Sequence, residues 1–486
     1  MAKQVRKKIK KTVIFRFIYF VFALLSVVCF YLIYQIGILP FKYLLLLFVF
    51  FFLIHFILFR LIVSKHWQKR MIGSVLCILF TIFLGIGIFY GNVTLNFFQD
   101  AFQNREKIEN YQVLVLNDSN YGSLKEFKNG KIGVPRTNFS EGAKLLQSEI
   151  KSRTSLTLQE TDNSTLVDSL LNKNLRVIVM EESQKNLFAE INDDFKNNVK
   201  VLETIEIKFK NEVKRKDTKI TKQPFSIYVS GTDDYGVINK VTRSDVNMIL
   251  TINPITHQVL MTSIPRDYYV SLEGMTDAKD KLTHASLYGI DTSVKTLEKL
   301  LNTNIDYYLK INFSSLVNLV EAVDGIDITN EEEFTAHYYD EPVNEWVTYH
   351  FKAGLNHLNG KQALAYSRER KSFVLGDRTR ALHQQQVLSA LIEKIASPAI
   401  LKNYTTILNA LDGSFDTDLT FDELMSFLQK QIDDGASWNI SNQILEGTDG
   451  NKHVYSMSGV TTYVMIPNPE SVEQAEQKIK EIIKVK

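Results

Sequence analysis

Three apolar runs in series, Phe17–Ile38, Tyr43–Val63 and Met71–Tyr90, constrain this chain more than any other feature. Each is close to the ~20 residues an α-helix needs to cross the hydrocarbon of a bilayer. A backbone in lipid must satisfy its own hydrogen bonds, so each run reads as a spanning helix. A cleavable signal has one short apolar region before a small-residue site, which three runs do not match. Basic residues set the direction. Lys3, Arg6, Lys7, Lys8, Lys10 and Lys11 precede the first run, and Lys65, Lys69 and Arg70 separate the second from the third. Between the first and second there is only Lys42. The cytoplasmic bias of Lys and Arg puts the N-terminus inside and everything after Tyr90 outside. Arg60 could snorkel to the inner interface; His55 could be a functional intramembrane group, although a neutral imidazole packed on a neighbouring helix is the first reading.

The rest of the 486-residue chain has an ordinary soluble composition. A net charge of +2 gives no basic face of the kind nucleic acid requires. The two cysteines, Cys29 and Cys77, lie inside apolar runs, so the outer part has no disulfide framework or thiolate metal site. Its stability must come from hydrophobic cores, and it is long enough to build them.

The outer part reads as two regions. In Glu109–Lys210, Val113–Leu116, Lys131–Val134 and Leu175–Met180 have strand character, and Ser140–Ser152 and Thr165–Lys173 have helical spacing, which predicts a small α/β domain. The charged stretch Asn211–Lys222, ending before Pro224, reads as a linker. In Phe225–Lys486, strands are expected at Phe225–Gly231, Val246–Asn253 and Gln258–Ile264, with a turn at Asn253-Pro254. Helices are expected at Val294–Leu301, Ser314–Val323, Lys361–Ser367, Thr379–Ile395 and Ser471–Ile483, the last with Ser471 as N-cap. Strands and helices mix without a strict βαβ rhythm, so the expected class is α/β with a mixed sheet. The expected domains are 1–91, 92–222 and 223–486.

The chemistry sits in the last domain. Arg243, Arg266, Arg368, Arg370, Arg378 and Arg380 fall in short polar stretches beside strand ends and helix starts. In Ser367-Arg368-Glu369-Arg370 an extended backbone sends both arginines to one side. Arg380 and Gln384 are four apart and share a helical face with Asp377. Guanidinium groups grip phosphate oxygens through paired hydrogen bonds, so such a cluster suits a pyrophosphate. Asp233 and Asp245 flank adjacent strand ends and could hold Mg²⁺ together with phosphate oxygens. Spacing alone does not separate that role from two turn-capping aspartates. His284 is a weaker candidate for a general base. His337, His350 and His357 lack metal-ligand spacing, and Glu331-Glu332-Glu333 reads as a solvated face.

These residues stand in an order that resembles the LytR-CpsA-Psr family of Gram-positive envelope proteins. The motifs are Tyr228-Val229-Ser230-Gly231 with Asp233, Arg243-Ser244-Asp245, Ile264-Pro265-Arg266-Asp267 and Asp280-Lys281-Leu282-Thr283-His284-Ala285. Arg368-Glu369-Arg370 and Gly376-Asp377 with Arg380 and Gln384-Gln385 complete the set. The layout of three spans, accessory domain and catalytic domain is similar to the streptococcal capsule members. The resemblance implies a transferase in the plasma membrane of a Gram-positive bacterium, its catalytic domain extracytoplasmic. It would move capsular or related polysaccharide from an undecaprenyl-pyrophosphate carrier to peptidoglycan. It implies Mg²⁺ (or Mn²⁺) on Asp233 and Asp245. Arg243, Arg266, Arg368 and Arg370 would be catalytic, and they, Arg380 and Gln384 would contact the pyrophosphate; core side chains would line a tunnel for the lipid tail. Two positions depart from the family pattern: His383 stands where Arg is usual, and Thr379 where a small residue is common. A lipid-pyrophosphate hydrolase and a non-enzymatic regulator of polysaccharide assembly stay open on the sequence, as do the acceptor's general base (Asp233 and Asp267 are candidates) and contact with a polymerase or kinase complex.

Overall fold

The computed structural model describes residues 2–103, 106–136, 141–210, 219–232, 238, 241–275, 278–340, 343–396, 406, 410, 413–457 and 461–484. The chain divides into two compact units, Met1–Gln103 with Leu419–Ser437, and Asn104–Asp418 with Trp438–Lys486.

The first unit holds α1 (Ala2–Ile36), α2 (Phe41–Val63) and α3 (Trp67–Gln103). All three are long and apolar enough to cross a membrane, over Val13–Ile36, Phe41–Val63 and Trp67–Phe97. Phe22, Cys29, Leu58, Ile62, Cys77 and Leu84 pack where the helices meet, while most other large apolar side chains face outward, as a lipid-facing surface requires. His55 packs against α1, its Nδ1 3.3 Å from the Tyr19 hydroxyl. The helix Phe421–Asp434 belongs to the same unit. Its Asp433 pairs with Lys42 at 2.6 Å, beside the turn between the first two spans.

The second unit starts with an α/β accessory part. Its elements are β1 (Glu106–Leu116), β2 (Lys131–Pro135), α4 (Glu141–Arg153), β3 (Thr157–Thr161), α5 (Asn163–Leu171), β4 (Ile178–Glu181), α6 (Glu182–Ile191), α7 (Asp193–Asn198) and β5 (Val199–Lys210). The sheet order is β3-β2-β4-β1-β5, with β1 antiparallel to β4 and β5 and β2 parallel to β3. Apolar side chains on its two faces form two cores. One centres on Val113, Ile132, Leu146 and Ile205, the other on Leu114, Leu166, Ile178 and Phe195.

The C-terminal part of this unit is built on a six-stranded mixed sheet. Its first strands are β6 (Phe225–Thr232), β7 (Ser244–Asn253) and β8 (Gln258–Ser263), all antiparallel neighbours. The ribbon β9 (Tyr269–Ser271) and β10 (Lys279–Lys281) leads to α8 (Leu282–Ala285) and α9 (Ile290–Leu301). Next come β11 (Tyr307–Asn312), α10 (Phe313–Ala322), the strands β12 (Ile326–Asn330), β13 (Phe334–Asp340), β14 (Glu345–Phe351) and β15 (Gly354–Leu358), α11 (Gly360–Arg368) and α12 (Asp377–Ala396). The strands β16 (Phe415–Thr417) and β17 (Asn439–Ile444) complete the order β16-β11-β6-β7-β8-β17. β6 lies at the centre and is buried along almost all its length, as a strand covered on both faces must be. Helices α8 and α9 cover one face with a core of Tyr228, Ile249, Leu260, Leu297 and Leu301. A second core joins α10, α11 and α12 through Phe313, Val320, Leu364, Tyr366 and Val387.

The last helix, Pro469–Ile483, corrects one expectation. Asn468 is the N-cap, accepting from the Glu470 amide, and Pro469 opens the helix, where its missing N–H costs nothing. Ser471 instead accepts a hydrogen bond from the Glu446 amide at 2.9 Å.

Candidate functional site

One cavity of about 210 Å³ lies beside the six-stranded sheet, and its position follows from where elements begin and end. β6 ends at Gly231-Thr232, where the pairing with β7 shifts register. A Cβ on Gly231 would stand 2.7 Å from the Val246 Cβ, so only glycine allows the strands this close approach. Asp245 is the second residue of β7, and Arg266 follows β8. α11 ends at Arg368, and α12 starts nine residues later at Asp377.

The cavity is amphipathic. Asp245, Arg266, Arg368, Arg370, Arg380 and Gln384 line it together with Val229, Met248, Leu316, Leu319, Leu364 and Leu391. α12 supplies both characters from one face. Arg380, Gln384, Val387, Leu388 and Leu391 recur at helical spacing, polar in the first turns and apolar after. A molecule with an anionic head and an apolar tail matches such a wall.

The polar end is an ion cluster. Arg266 Nη1 donates to Asp245 Oδ1 at 2.9 Å, and Arg266 Nε lies 3.5 Å from Asp267. Asp377 Oδ1 lies 3.4 Å from Arg380 Nη2 and 3.6 Å from Arg370 Nη1. Burial pushes the Asp245 carboxyl up, but the guanidiniums of Arg266, Arg380 and Arg243 outweigh it and hold the carboxyl below the ordinary range. Arg266 is lowered by burial and raised more by Asp245 and Asp267. Arg380 is the opposite case: burial and then the charge of Arg266 lower it, and Asp377 and Asp245 offset this only in part. Arg380 is thus a buried cation short of negative charge. The cluster also holds unused hydrogen-bonding capacity, since Arg266 Nε and Asp377 Oδ1 are buried without a hydrogen-bond partner. Arg368 stacks on Phe313, its guanidinium carbon 4.2 Å from the ring centroid, with Tyr338 at 5.5 Å. That stacking fixes its plane.

Six of the expected residues therefore meet: Asp245, Arg266, Arg368, Arg370, Arg380 and Gln384. Others go elsewhere. Arg243 does not line the cavity; its Nη1 lies 3.1 Å from Glu190 on α6. Arg378 pairs with Glu446. Asp267 is buried and paired with Lys281 at 2.9 Å. His284 is buried against Asp280, Nδ1 to Oδ1 2.7 Å, and Ser456, 2.8 Å, and does not line the cavity. This bracket supports the Arg266 loop, because the Thr283 amide donates to the Arg266 carbonyl at 2.8 Å. Asp233 lies outside the described residues. Arg368 and Arg370 do reach one cavity, but by a helix end rather than a strand: Glu369 is the extended C-cap between them.

His383, where the family pattern has Arg, does not enter the ion cluster. It sits among aromatic rings, with centroids of Tyr366 at 4.2 Å, Phe373 at 5.1 Å and Phe334 at 5.2 Å. Burial pushes it down to about 4, only partly opposed by its hydrogen bond to the Tyr366 carbonyl. A neutral ring fits that box, although the charge of Glu369 acts on it weakly in the opposite sense to burial.

Among the described residues no group of three His, Cys, Asp or Glu side chains could hold a metal by itself. Asp245, held ionised on the cavity wall, is a fitting single carboxylate for Mg²⁺, which takes one or two carboxylates and completes its shell with substrate oxygens and water.

The model of the LytR_cpsA_psr family matches residues 189–481. The polyisoprenyl-teichoic acid–peptidoglycan teichoic acid transferase TagU of Bacillus mycoides is 39% identical over 208 residues, 42% of this chain and 64% of the relative. The chain thus aligns with just under two thirds of that relative's length. The protein of the same name from Enterococcus faecalis is 35% identical over 228 residues, 46% of this chain and 70% of the relative. Among solved structures, Bacillus subtilis TagV is 30% identical, with 54% of this chain and 98% of that one covered and a TM-score of 0.45.

Proposed function

Because the chain belongs to the LytR-CpsA-Psr family, we propose that it is a membrane-anchored transferase that moves a glycopolymer from a polyprenyl-pyrophosphate carrier to peptidoglycan. The observation that carries this reading is the amphipathic cavity, with four arginines at one end and an apolar wall at the other. Relatives named for teichoic acid transfer support the class of reaction. Capsular or related polysaccharide is the proposed polymer, on the layout of three spans and accessory domain. The outer location is supported by the basic flanks of the spans and by the Lys42–Asp433 pair, which puts the turn between the first two spans beside a helix from the C-terminal half.

In this mechanism the lipid tail lies along Leu316, Leu319, Leu364 and Leu391. Arg266, Arg370 and Arg380 bind the pyrophosphate oxygens, and stacked Arg368 presents its planar fork to them. Mg²⁺ (or Mn²⁺), held by Asp245 with Asp233, would supply further positive charge against the phosphates. An acceptor hydroxyl of peptidoglycan attacks the phosphorus that carries the glycan. The bond from that phosphorus to the bridging oxygen breaks, polyprenyl phosphate leaves, and the lost hydroxyl proton balances the charge on it. A glycan–phosphate–peptidoglycan diester results. Phosphoryl transfer depends on positioning and charge stabilisation, which this cluster provides.

The test incubates the purified chain with Mg²⁺, a lipid-pyrophosphate-linked oligosaccharide and peptidoglycan fragments, with products read by mass spectrometry. Glycan joined to peptidoglycan through phosphate, lost in Asp245→Ala and Arg266→Ala, is expected. Free glycan phosphate without adduct would make the protein a hydrolase, and no turnover would leave a regulator.

A further inference from the structure

A second, smaller cavity of about 40 Å³ lies between the accessory and catalytic domains. Glu109, Asn163, Glu181 and Gln184 line it from the accessory side, and Val241 and Tyr288 from the other. Two of its oxygens are unspent. Asn163 and Gln184 are 8% and 3% exposed, and Asn163 Oδ1 and Gln184 Oε1 are buried without a hydrogen-bond partner. The Gln184 Nε2 donates to the Leu287 carbonyl at 3.3 Å, which orients the amide. Glu109 is buried, with one oxygen accepting from the Tyr111 hydroxyl at 2.6 Å. Glu181 Oε2 caps α6, accepting from the amides of Ser183 at 2.8 Å and Gln184 at 3.2 Å. Burial pushes Glu181 up to about 8 against those hydrogen bonds, and the charge of Glu109 adds to the effect. Side chains carrying two carboxyl groups and two orphan amide oxygens thus line one small space.

We propose that this interdomain cavity is a calcium-class site, in which Glu109, Asn163, Glu181 and Gln184 hold one divalent cation. The inference is independent of the transferase reading. All four ligating groups are oxygens, with no imidazole or thiolate, which selects a hard cation. Amide oxygens and an irregular set from four elements suit Ca²⁺ better than Mg²⁺, which demands near-octahedral geometry. The space is larger than the ~10–15 Å³ that one water needs by the same measure, so an ion fits in it. The site would fasten the segment that leads to Arg243. Val241 lines it, the Thr242 carbonyl accepts from the Ser286 hydroxyl at 2.6 Å, and Arg243 pairs with Glu190 on the same helix as Gln184.

The test is calorimetric titration of the full chain in nanodiscs with Ca²⁺. An Asp245→Asn background removes a competing carboxylate at the arginine site. The expected result is one Ca²⁺ per chain with Kd on the order of 10⁻⁴–10⁻³ M, the range of extracellular modules. Glu109→Gln and Glu181→Gln should each weaken binding at least about tenfold. Asn163→Asp adds a carboxylate and should tighten it, which keeps the test decisive if a glutamine variant misfolds. No Ca²⁺ uptake at ~10 mM, or affinity unchanged by all three substitutions, would overturn the site and leave water as the occupant. Equal affinity for Mg²⁺ would overturn the calcium assignment.

Discussion

Asp245→Asn separates the two jobs proposed for the arginine cluster, folding and anion binding. Asp245 and Arg266 meet at 2.9 Å with side chains 18% and 23% exposed, so the pair is neither solvated nor fully buried. Exposed pairs contribute about 0–1 kcal/mol, and breaking a buried pair costs about 3–5 kcal/mol. An intermediate cost of about 2 kcal/mol is expected, because the amide keeps the volume and loses the charge. For a domain of this size that lowers Tm by about 4–8 °C. The sign with pH follows from the depressed carboxyl. Its contribution is complete above the ordinary Asp value of about 3.9 and is lost as pH falls through the lower folded value. The substitution also leaves Arg266 and Arg380 facing each other without their shared acid, so an added anion should repair the damage. Thermal melts with EDTA and millimolar inorganic pyrophosphate check this: pyrophosphate should raise the Tm of Asp245→Asn more than that of the parent. A variant that melts within about 1 °C of the parent, or that pyrophosphate does not stabilise, would refute the reasoning.

Other outcomes follow from the same geometry. His383→Phe should remove an acid-limb instability: a His held down to about 4 favours folding above its unfolded value of about 6.5 and loses that contribution as pH falls, about 2 kcal/mol by pH 5. Denaturation at pH 7 and pH 5 reads it. Arg368→Lys loses the planar stack on Phe313 and Tyr338, and transferase kcat/KM should fall about 3- to 30-fold with little change in Tm, as seen by steady-state kinetics and melting. Val387→Trp fills the apolar end at a cost of about 1–3 kcal/mol. It should raise KM for long-tailed donors while inorganic pyrophosphate binding, followed by calorimetry, stays unchanged.

Much of the candidate site is legible in the sequence because its residues lie beside element ends, where local signals are strong. Arg380 and Gln384 declare a shared face by their spacing, and the same spacing continues through Val387, Leu388 and Leu391 into the apolar wall. That continuation is where a tunnel could be read, but a core stripe looks identical until the opposing wall from α10 and β6 is known. Arg243 and Arg378 are not legible as outsiders. Their partners Glu190 and Glu446 are distant in sequence, and ion pairing at such range carries no local pattern. The accessory strand β5 is also not among the expected strands. It alternates apolar Ile205 and Ile207 with charged Glu206 and Lys208, and its long pairing with β1 stabilises it more than its own composition would. The start of the last helix shows two local signals in competition, with Asn468-Pro469 prevailing over Ser471 because proline fixes the first helical residue.

The central claim is that the apolar end of the arginine cavity holds the polyprenyl tail. A polyprenyl pyrophosphate with a photoreactive group in its tail, crosslinked to the full chain in nanodiscs and mapped by peptide mass spectrometry, tests it directly. Labels on Leu316, Leu364, Val387 or Leu391, displaced by unlabelled polyprenyl pyrophosphate, are the predicted result. Labels confined to the spanning helices, with the cavity residues unmodified, would contradict it.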